Sequence, residues 1–493
     1  MHPRKIRMSI PPQVRGVCSQ IKSAGGRSFL VGGAVVDAIK GVKPKDWDLE
    51  VFGLNFEDLQ RILANFNPKM CGAAFGIIKI KVNGLHIDVS IPRRDNKAGV
   101  GHKGFEVLFD PRMSVKEACR RRDIAFNAMA IDLETMELID PFGGYNDVVL
   151  GILRPTDPEL FVQDPLRLYR VMQLLPRKGK TLAPGFMLLL KSMLDSLKEL
   201  PKERIFEEFN KLFMKAEKPS VGLQFLKDVG AMEMYYPELN ALEGCLQNPD
   251  HHSEGDVLTH TLCTADSAAH VRSQLPEEWQ LPFMFGTSFH DIGKPLKTIT
   301  QKMIDESHPR VVSLVEKKEG RKSAQDFLYT AYGHDQAGMD PMEVFMRKLT
   351  NNKKLIEQAV TIVGVHMQPY YLTSGEAKEG AWKRLHNKLR LDVMGLVAKC
   401  DACGNFHKDI GDPDLEERNS QACFDRFSDL GAEPVAQMLK GRDLVDVGFK
   451  PGSQFGVALK AAHEAQLDDP KLTKEQLLVI ASEKIESNLT LSE

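Results

Sequence analysis

Three aspartates and a glycine pair carry the first chemical signal in this chain. Leu30-Val31-Gly32-Gly33-Ala34-Val35-Val36-Asp37 reads as a strand that runs through a Gly-Gly turn into a helix, and Lys45-Asp46-Trp47-Asp48-Leu49-Glu50-Val51-Phe52-Gly53 reads as a second strand. Glycine at Gly32 and Gly33 would let backbone N–H groups come close to a phosphate, at a helix N-terminus that favours negative charge. Asp46 and Asp48 are two apart on the expected strand, so both carboxylates point to one face. Paired carboxylates are hard oxygen ligands for Mg²⁺. Two such ions activate a 3′-hydroxyl and steady a leaving pyrophosphate in an in-line displacement. Asp88, in the strand-like His86-Ile87-Asp88-Val89-Ser90, is the expected third carboxylate. Two aspartates in a turn would be an ordinary feature alone; the ordered set of five residues is not.

A second cluster lies further along. His260 follows Asn248-Pro249-Asp250-His251-His252-Ser253-Glu254-Gly255-Asp256, and after it come Phe289-His290-Asp291-Ile292-Gly293-Lys294, Gly333-His334-Asp335, Val365-His366 and Lys399-Cys400-Asp401. Imidazole suits Ni, Zn, Mn and Co, and carboxylate suits Mg and Mn. An adjacent His-Asp with an upstream His and a downstream Asp, each expected on its own helix, resembles the HD phosphohydrolase superfamily. The resemblance implies that His260, His290, Asp291 and Asp401 hold a divalent transition metal such as Ni²⁺, Mn²⁺ or Co²⁺. It leaves His334 and His366 to complete a second ion or to bind phosphate. A metal there would lower the pKa of bound water and polarise a phosphoryl oxygen, and Lys294 is spaced to neutralise substrate charge.

The elements that must position these groups change character along the chain. Up to about residue 150, short β-like runs (Ser28–Val31, Leu49–Phe52, Ile77–Val82, His86–Ile91, Ala128–Asp132) alternate with helical ones, which predicts an α/β or α+β domain. From Asp164 to about Leu242 the apolar spacing is helical, as in Leu166, Leu168, Tyr169, Val171, Met172 and Leu175, and the helical pattern continues to the C-terminus. Pro/Gly-rich junctions place boundaries near 155 and 249. The 493 residues, 42% hydrophobic and 27% charged, suggest about three domains of a globular protein. No apolar run reaches membrane-span length, and the basic start Met1-His2-Pro3-Arg4-Lys5 lacks the apolar core of a signal peptide. The eight scattered cysteines read as reduced thiols of a cytoplasmic protein, with Cys400-x-x-Cys403 lacking the second pair a zinc site would want. A net charge of −2 requires local basic patches to hold any nucleic acid; Arg93-Arg94, Lys103, Arg177-Lys178 and Lys180 are the candidates.

The first motif resembles that of class II tRNA nucleotidyltransferases and bacterial poly(A) polymerases, within the polymerase-β-like superfamily. Further matches follow in order: Arg121-Arg122-Asp123-Ile124-Ala125-Phe126-Asn127-Ala128, Gln163-Asp164-Pro165-Leu166-Arg167-Leu168-Tyr169-Arg170, and Glu203-Arg204-Ile205. The resemblance implies an α+β fold: a polymerase-β-like head with a small mixed sheet (1–155), an all-α neck and body (156–247), an all-α HD domain (248–410) and a helical tail (411–493), where Leu444–Phe455 resembles the helical end of such enzymes. It implies Mg²⁺ at Asp46 and Asp48 with Asp88 in the catalytic set. It implies ATP and CTP at Gly32, Gly33, Arg122, Asp123, Asn127 and Arg170, and tRNA as acceptor. Asp164 and Arg167, three apart on an expected helix, offer an acceptor beside a donor. Cytosine and adenine both present an amino donor beside a ring-nitrogen acceptor, whereas guanine and uracil present the reverse, so this pair would select C and A without a template. Val36 stands where the family has arginine, with Lys40, Arg121 or Arg122 as replacements, and Gln163 stands where it has glutamate. Addition of C and A to tRNA is the leading expectation. Poly(A) polymerase, partial CC- or A-addition, and an HD phosphohydrolase with an RNA-binding head are the alternatives.

Overall fold

A computed structural model describes residues 4–44, 46–70, 76–97, 105–249, 252–317, 323–375, 377–403 and 413–490. Lys45, Cys71, Lys103, Asp250 and His251 lie outside these residues, as do the side chains of Arg94 and Cys403. The chain divides into two compact units, Met1–Ala216 with Val221–Ala231, and Glu217–Ser220 with Met232–Glu493.

The first unit is built on a mixed sheet. Its strands are β1 (Arg27–Val31), β2 (Trp47–Phe52), β3 (Lys69–Met70), β4 (Ile77–Val82), β5 (Leu85–Ser90), β8 (Ala130–Asp132) and β9 (Leu138–Ile139), while β6 (Arg93–Lys97) and β7 (Phe105–Phe109) form a separate ribbon. The order is β3-β4-β5-β2-β1-β8-β9. Only β2 and β5 run parallel within it; each other described pair is antiparallel. Central β1 carries Phe29, Leu30 and Val31 all buried, as a strand covered on both faces must. Toward the edge, β4 alternates buried Ile78 and Ile80 with more exposed Lys79 and Lys81. The Pro12–Ser23 helix buries Val14, Val17 and Ile21 at helical spacing. Beyond the sheet, helices Leu166–Lys178 and Lys202–Lys215 pack together, with the Tyr169 and Phe209 rings 6.2 Å apart.

The regular elements of the second unit are all helices among its described residues. Helices Val257–Val271, Glu277–Ser288, Lys353–Val365 and Leu391–Cys403 form its centre, and Phe289 meets Phe345 edge-on at 5.1 Å. Asp256 caps the first of these by accepting from Thr259 N, and Asn352 caps the third by accepting from Leu355 N. Helices Gln454–Asp468 and Lys474–Thr490 close on their own core of Leu444, Ala458, Leu477 and Ile485. No helix among the described residues is long and apolar enough to cross a membrane.

Three local expectations are corrected. Asp46 is an exposed bend residue ahead of β2 and not a strand residue. Asp164 lies outside the helix that begins at Leu166: Pro165 intervenes, and the Asp164 carboxylate accepts from Leu166 N as a cap does. His290-Asp291 sits in the turn after the Glu277–Ser288 helix and not on a helix of its own. The tail segment Leu444–Phe455 runs from the end of one short helix through a loop to the start of another.

Candidate functional site

In the first unit, the parallel register of β2 and β5 sets Asp48 directly beside Asp88. Burial first, then the charge of Asp88, pushes the Asp48 carboxyl up to about 6, with Asp46 adding to the push and Arg122 opposing it. Asp88 also meets Lys79 Nζ at 3.1 Å. Asp46, Asp48 and Asp88 therefore crowd negative charge beside the two interior strands β2 and β5. Gly32 stands against them in the left-handed region (φ 71°), opening the Gly33–Ile39 helix. A Cβ on Gly32 would lie 3.4 Å from Asp48 Oδ2 and 3.9 Å from Arg122 Nη1. The turn thus needs glycine for its backbone and leaves a gap between a carboxylate and a guanidinium. Val36 on the same helix is buried in the core.

Glu50 is the residue that motif spacing did not single out. It shares a strand face with Asp48 and is 1% exposed. Arg121 donates to its Oε1 at 2.9 Å and Arg122 to its Oε2 at 3.3 Å. One buried carboxylate therefore anchors both arginines beside the aspartates. Next to them, Asp123 accepts from Arg170 Nε at 2.6 Å, from Asn127 Nδ2 at 3.2 Å and from Ile124 N at 2.8 Å. Burial works to raise the Asp123 pKa, but Arg170 and these hydrogen bonds hold it at about 2. Arg167 donates to the Leu160 and Arg121 carbonyls at 2.9 and 2.8 Å, while Asp164 faces Arg204 at 3.5 Å. Three separate motifs thus meet in one region. Of the basic candidates, Lys178 pairs with Asp37 at 2.5 Å and Arg177 donates to Gln173.

The second unit gathers the other set. His260 Nε2 lies 3.4 Å from His290 Nε2 and 3.1 Å from Asp401 Oδ1. His290 Nε2 lies 3.3 Å from Asp401 Oδ1 and 3.4 Å from Asp291 Oδ2. His334 Nε2 approaches Asp291 Oδ1 at 3.0 Å and His366 Nε2 at 3.0 Å. Each imidazole is fixed through its other nitrogen: His290 Nδ1 to the Thr287 carbonyl, His334 Nδ1 to Ala331, His366 Nδ1 to Val363, and His260 Nδ1 to Glu254 at 2.7 Å. Four Nε2 atoms therefore converge on two carboxylates, each ring oriented from behind as metal-binding histidines are. His260, His290 and Asp401 form one possible ligand group and His290, Asp291 and His366 another. Asp291 Oδ2 is buried with no hydrogen bond of sound geometry among the described residues, although Lys294 Nζ stands 2.7 Å away. This donor set fits a divalent cation bound by imidazole and carboxylate. Asp291 is held well below the carboxylate range: burial opposes this, and Lys294 and His290 outweigh it. Glu254, 1% exposed at its side chain, is a second residue the motif left out; it accepts from both His252 and His260, and against the effect of burial these bonds hold its pKa at about 2. A cavity of about 410 Å³ opens onto the cluster.

Residues 28–154 match the family model of the poly A polymerase head domain, and residues 181–242 that of a probable RNA and SrmB-binding site of polymerase A. A multifunctional CCA protein of Neisseria meningitidis is 31% identical over 344 residues, 69% of this chain and 72% of that one. Another from Xanthomonas campestris is 28% identical over 455 residues, 89% of this chain and 97% of its own length. The fold is similar to that of the Bacillus stearothermophilus CCA-adding enzyme in complex with CTP, with a TM-score of 0.63 at 19% identity over 98% of this chain and 100% of that one. It is also similar to the Thermotoga maritima CCA-adding enzyme complexed with tRNA, with a TM-score of 0.51 at 16% identity over 99% of this chain and 100% of that one. The structural likenesses agree with a polymerase-β-like head on a mixed sheet followed by a mostly helical body. The sequence relationship goes further, since it spans more than two thirds of both chains at over 30% identity: this chain belongs to the family of multifunctional CCA proteins.

Proposed function

We propose that the chain adds C and A, without a template, from CTP and ATP to the 3′ end of tRNA. The observation that carries this reading is the pairing of Asp48 with Asp88, with Gly32 and Arg122 against Asp48, in a chain whose relatives are named for CCA. Asp46, Asp48 and Asp88 would hold Mg²⁺, which when bound activates the 3′-hydroxyl and neutralises the leaving pyrophosphate. The Gly32-Gly33 turn leaves room for the triphosphate. Arg122, anchored on Glu50, supplies a charge-assisted donor to it. Asp123 and Asn127 meet the ribose, with Arg170 locking Asp123. Asp164 and Arg167 read the base edge: an incorrect base leaves buried polar groups unpaired, at about 1–3 kcal/mol each. We assign residues 1–155 to the head, 156–247 to the neck and body, 248–410 to an HD domain and 411–493 to the tail, and place the protein in the cytoplasm.

A second activity is supported by a separate observation, the convergence of four imidazoles on Asp291 and Asp401. We read this as a phosphohydrolase site for a divalent transition metal such as Ni²⁺, Mn²⁺ or Co²⁺, able to open a 2′,3′-cyclic phosphate and to remove a phosphate. Together the sites would clean a damaged RNA 3′ end and then extend it.

The test uses tRNA transcripts ending before C, after CC and after CCA. Addition restricted to completing CCA, and lost in the Asp46→Ala plus Asp48→Ala protein, supports the reading. Unlimited A addition to unrelated RNA would contradict it in favour of a poly(A) polymerase, and addition stopping at CC would reduce it to partial synthesis.

A further inference from the structure

A second cavity, of about 390 Å³, lies within the first unit, and none of the three aspartates lines it. Lys40, Arg177, Lys178 and Lys180 do, with Val148 and Val149 beside them. Four cations therefore face one concave space. Two helices end here. The Gly33–Ile39 helix starts at the Gly32 turn beside Asp48 and stops at Lys40. The Leu166–Lys178 helix carries Arg167 and Arg170 near its start and finishes on Arg177 and Lys178. At 1.5 Å of rise per residue the cavity is about 10 Å along one helix from the glycine turn and about 12 Å along the other from Arg170. A ligand in it does not occupy the place of the triphosphate.

The backbone that carries Lys180 is fixed. Strands Ile152–Leu153 and Thr181–Leu182 run parallel, and Lys180 N and Thr181 N both donate to the Gly151 carbonyl, at 2.6 and 3.2 Å. Gly151 adopts φ 72°, and a Cβ on it would lie 2.8 Å from Lys180 Cγ. Glycine thus lets the stem of Lys180 cross close over the chain.

Positive charge exceeds what the surroundings neutralise. Asp37 takes Lys178 Nζ at 2.5 Å, and the Arg177 guanidinium donates to Gln173 Oε1. Glu208, which also acts on Arg177, is held by Lys211 at 2.8 Å. Lys40 and Lys180 are exposed and make no ion pair among the described residues. Cations at helix C-termini are ordinary complements of the helix dipole, but each terminus contributes only about half a negative charge. Two termini and Asp37 leave a surplus of about two positive charges. Its effect reaches the side chains: burial and then Lys178 lower the Lys40 pKa, with Lys180 adding and Asp37 opposing. Like charges gathered around a concavity repel one another and draw anions in.

We propose that this cavity is a second anion site, which takes a phosphate group (of an RNA backbone or of free phosphate) apart from the nucleotide site and the histidine cluster. Arg177 offers a planar fork and the three lysines offer point charges, a donor set suited to phosphate oxygens. A phosphate group carries about one to two negative charges, which matches the surplus.

The experiment titrates inorganic phosphate into the full chain by calorimetry, at constant ionic strength with EDTA present. It compares the unaltered protein, Lys40→Gln plus Lys180→Gln, and two controls for the other sites, Arg122→Gln and His290→Ala. The lysine variant should bind phosphate at least about ten-fold more weakly, the loss of one or two charge-assisted hydrogen bonds, and both controls should keep the binding. In phosphate-free buffer the lysine variant should melt at the same temperature as the unaltered protein or higher, because repulsion is relieved. The second arm measures tRNA binding as salt is raised. If an RNA backbone is the source of the phosphate, the slope of log Kd against log salt should fall by about one for each lysine removed. An unchanged slope with weakened phosphate binding would identify free phosphate as the ligand. Unchanged phosphate binding together with an unchanged slope would overturn the site. So would a lysine variant that melts several degrees lower and binds both phosphate and tRNA as before, since the lysines would then serve the fold. Loss of phosphate binding in a control alone would return the anion to the sites already described and overturn the proposal as well.

Discussion

Asp48 and Asp88 lie side by side on β2 and β5, the one parallel pair among the described strands of a seven-stranded sheet. Residues in register on neighbouring strands share a face, so two carboxylates forty residues apart in the chain meet on one face of the sheet, on two of its interior strands. Neither needs a loop to find the other. If this aspartate pair is where nucleotidyl transfer happens, Asp48→Ala should lower nucleotide incorporation at least about a thousand-fold, the loss of several kcal/mol of charge stabilisation. Binding of tRNA, followed by a filter or gel assay, should stay within a few-fold. Comparable incorporation by the variant would place the chemistry elsewhere.

Glu50 anchors Arg121 and Arg122 from a fully buried position. Glu50→Ala leaves two largely buried guanidinium groups without that carboxylate, which should cost about 3 kcal/mol of stability. Urea unfolding followed by circular dichroism measures it. The variant should also raise the KM for CTP and ATP together, since Arg122 is no longer held against Gly32.

Asp123 sets an acid limit on the head. Its pKa is about 2 in the folded chain and about 3.9 when unfolded. A depressed carboxylate contributes stability that is fully present above the unfolded value and is lost as pH falls through the folded one. The contribution is about 2 kcal/mol above pH ~4, declining toward pH ~2. Arg170→Met should remove most of this pH dependence, read as a smaller difference in urea midpoint between pH 5 and pH 3. An unchanged difference would mean that Asp123 does not depend on Arg170.

Glu254 holds the ring of His260 from behind. Glu254→Ala should weaken transition-metal binding by roughly 10–100-fold, the usual effect of removing a residue that orients a metal-binding histidine. Isothermal titration with Ni²⁺ or Mn²⁺ measures it directly. His290→Ala and chelation should abolish phosphoester hydrolysis, and neither His290→Ala nor Glu254→Ala should alter incorporation with Mg²⁺ present.

The fold class was readable because the chain obeys local rules. Val14, Val17 and Ile21 mark a helix face, Ile78 and Ile80 alternate with lysines on β4, and Gly32 sits where the backbone needs a positive φ. The aspartate and histidine sets were readable as ordered motifs. What escaped were the groups whose partners are remote or whose role is to orient. Glu50 looks like a polar strand residue until Arg121 and Arg122, some seventy positions on, fold back onto it. Its signal was present in the period-two spacing from Asp48. Glu254 likewise sits six residues before His260, a spacing no regular element predicts as a contact across a capped helix start. Asp164 stays off the helix because Pro165 precedes its first turn, a boundary that apolar periodicity does not register.

The most direct measurement is incorporation of labelled CTP and ATP, separately and together, into tRNA lacking its 3′ CCA. C should enter first, A should follow once, and the reaction should then stop, with no entry of G or U. Absence of any incorporation, in a preparation that still hydrolyses a 2′,3′-cyclic phosphate with a transition metal, would contradict the account and leave the head as an RNA-binding module.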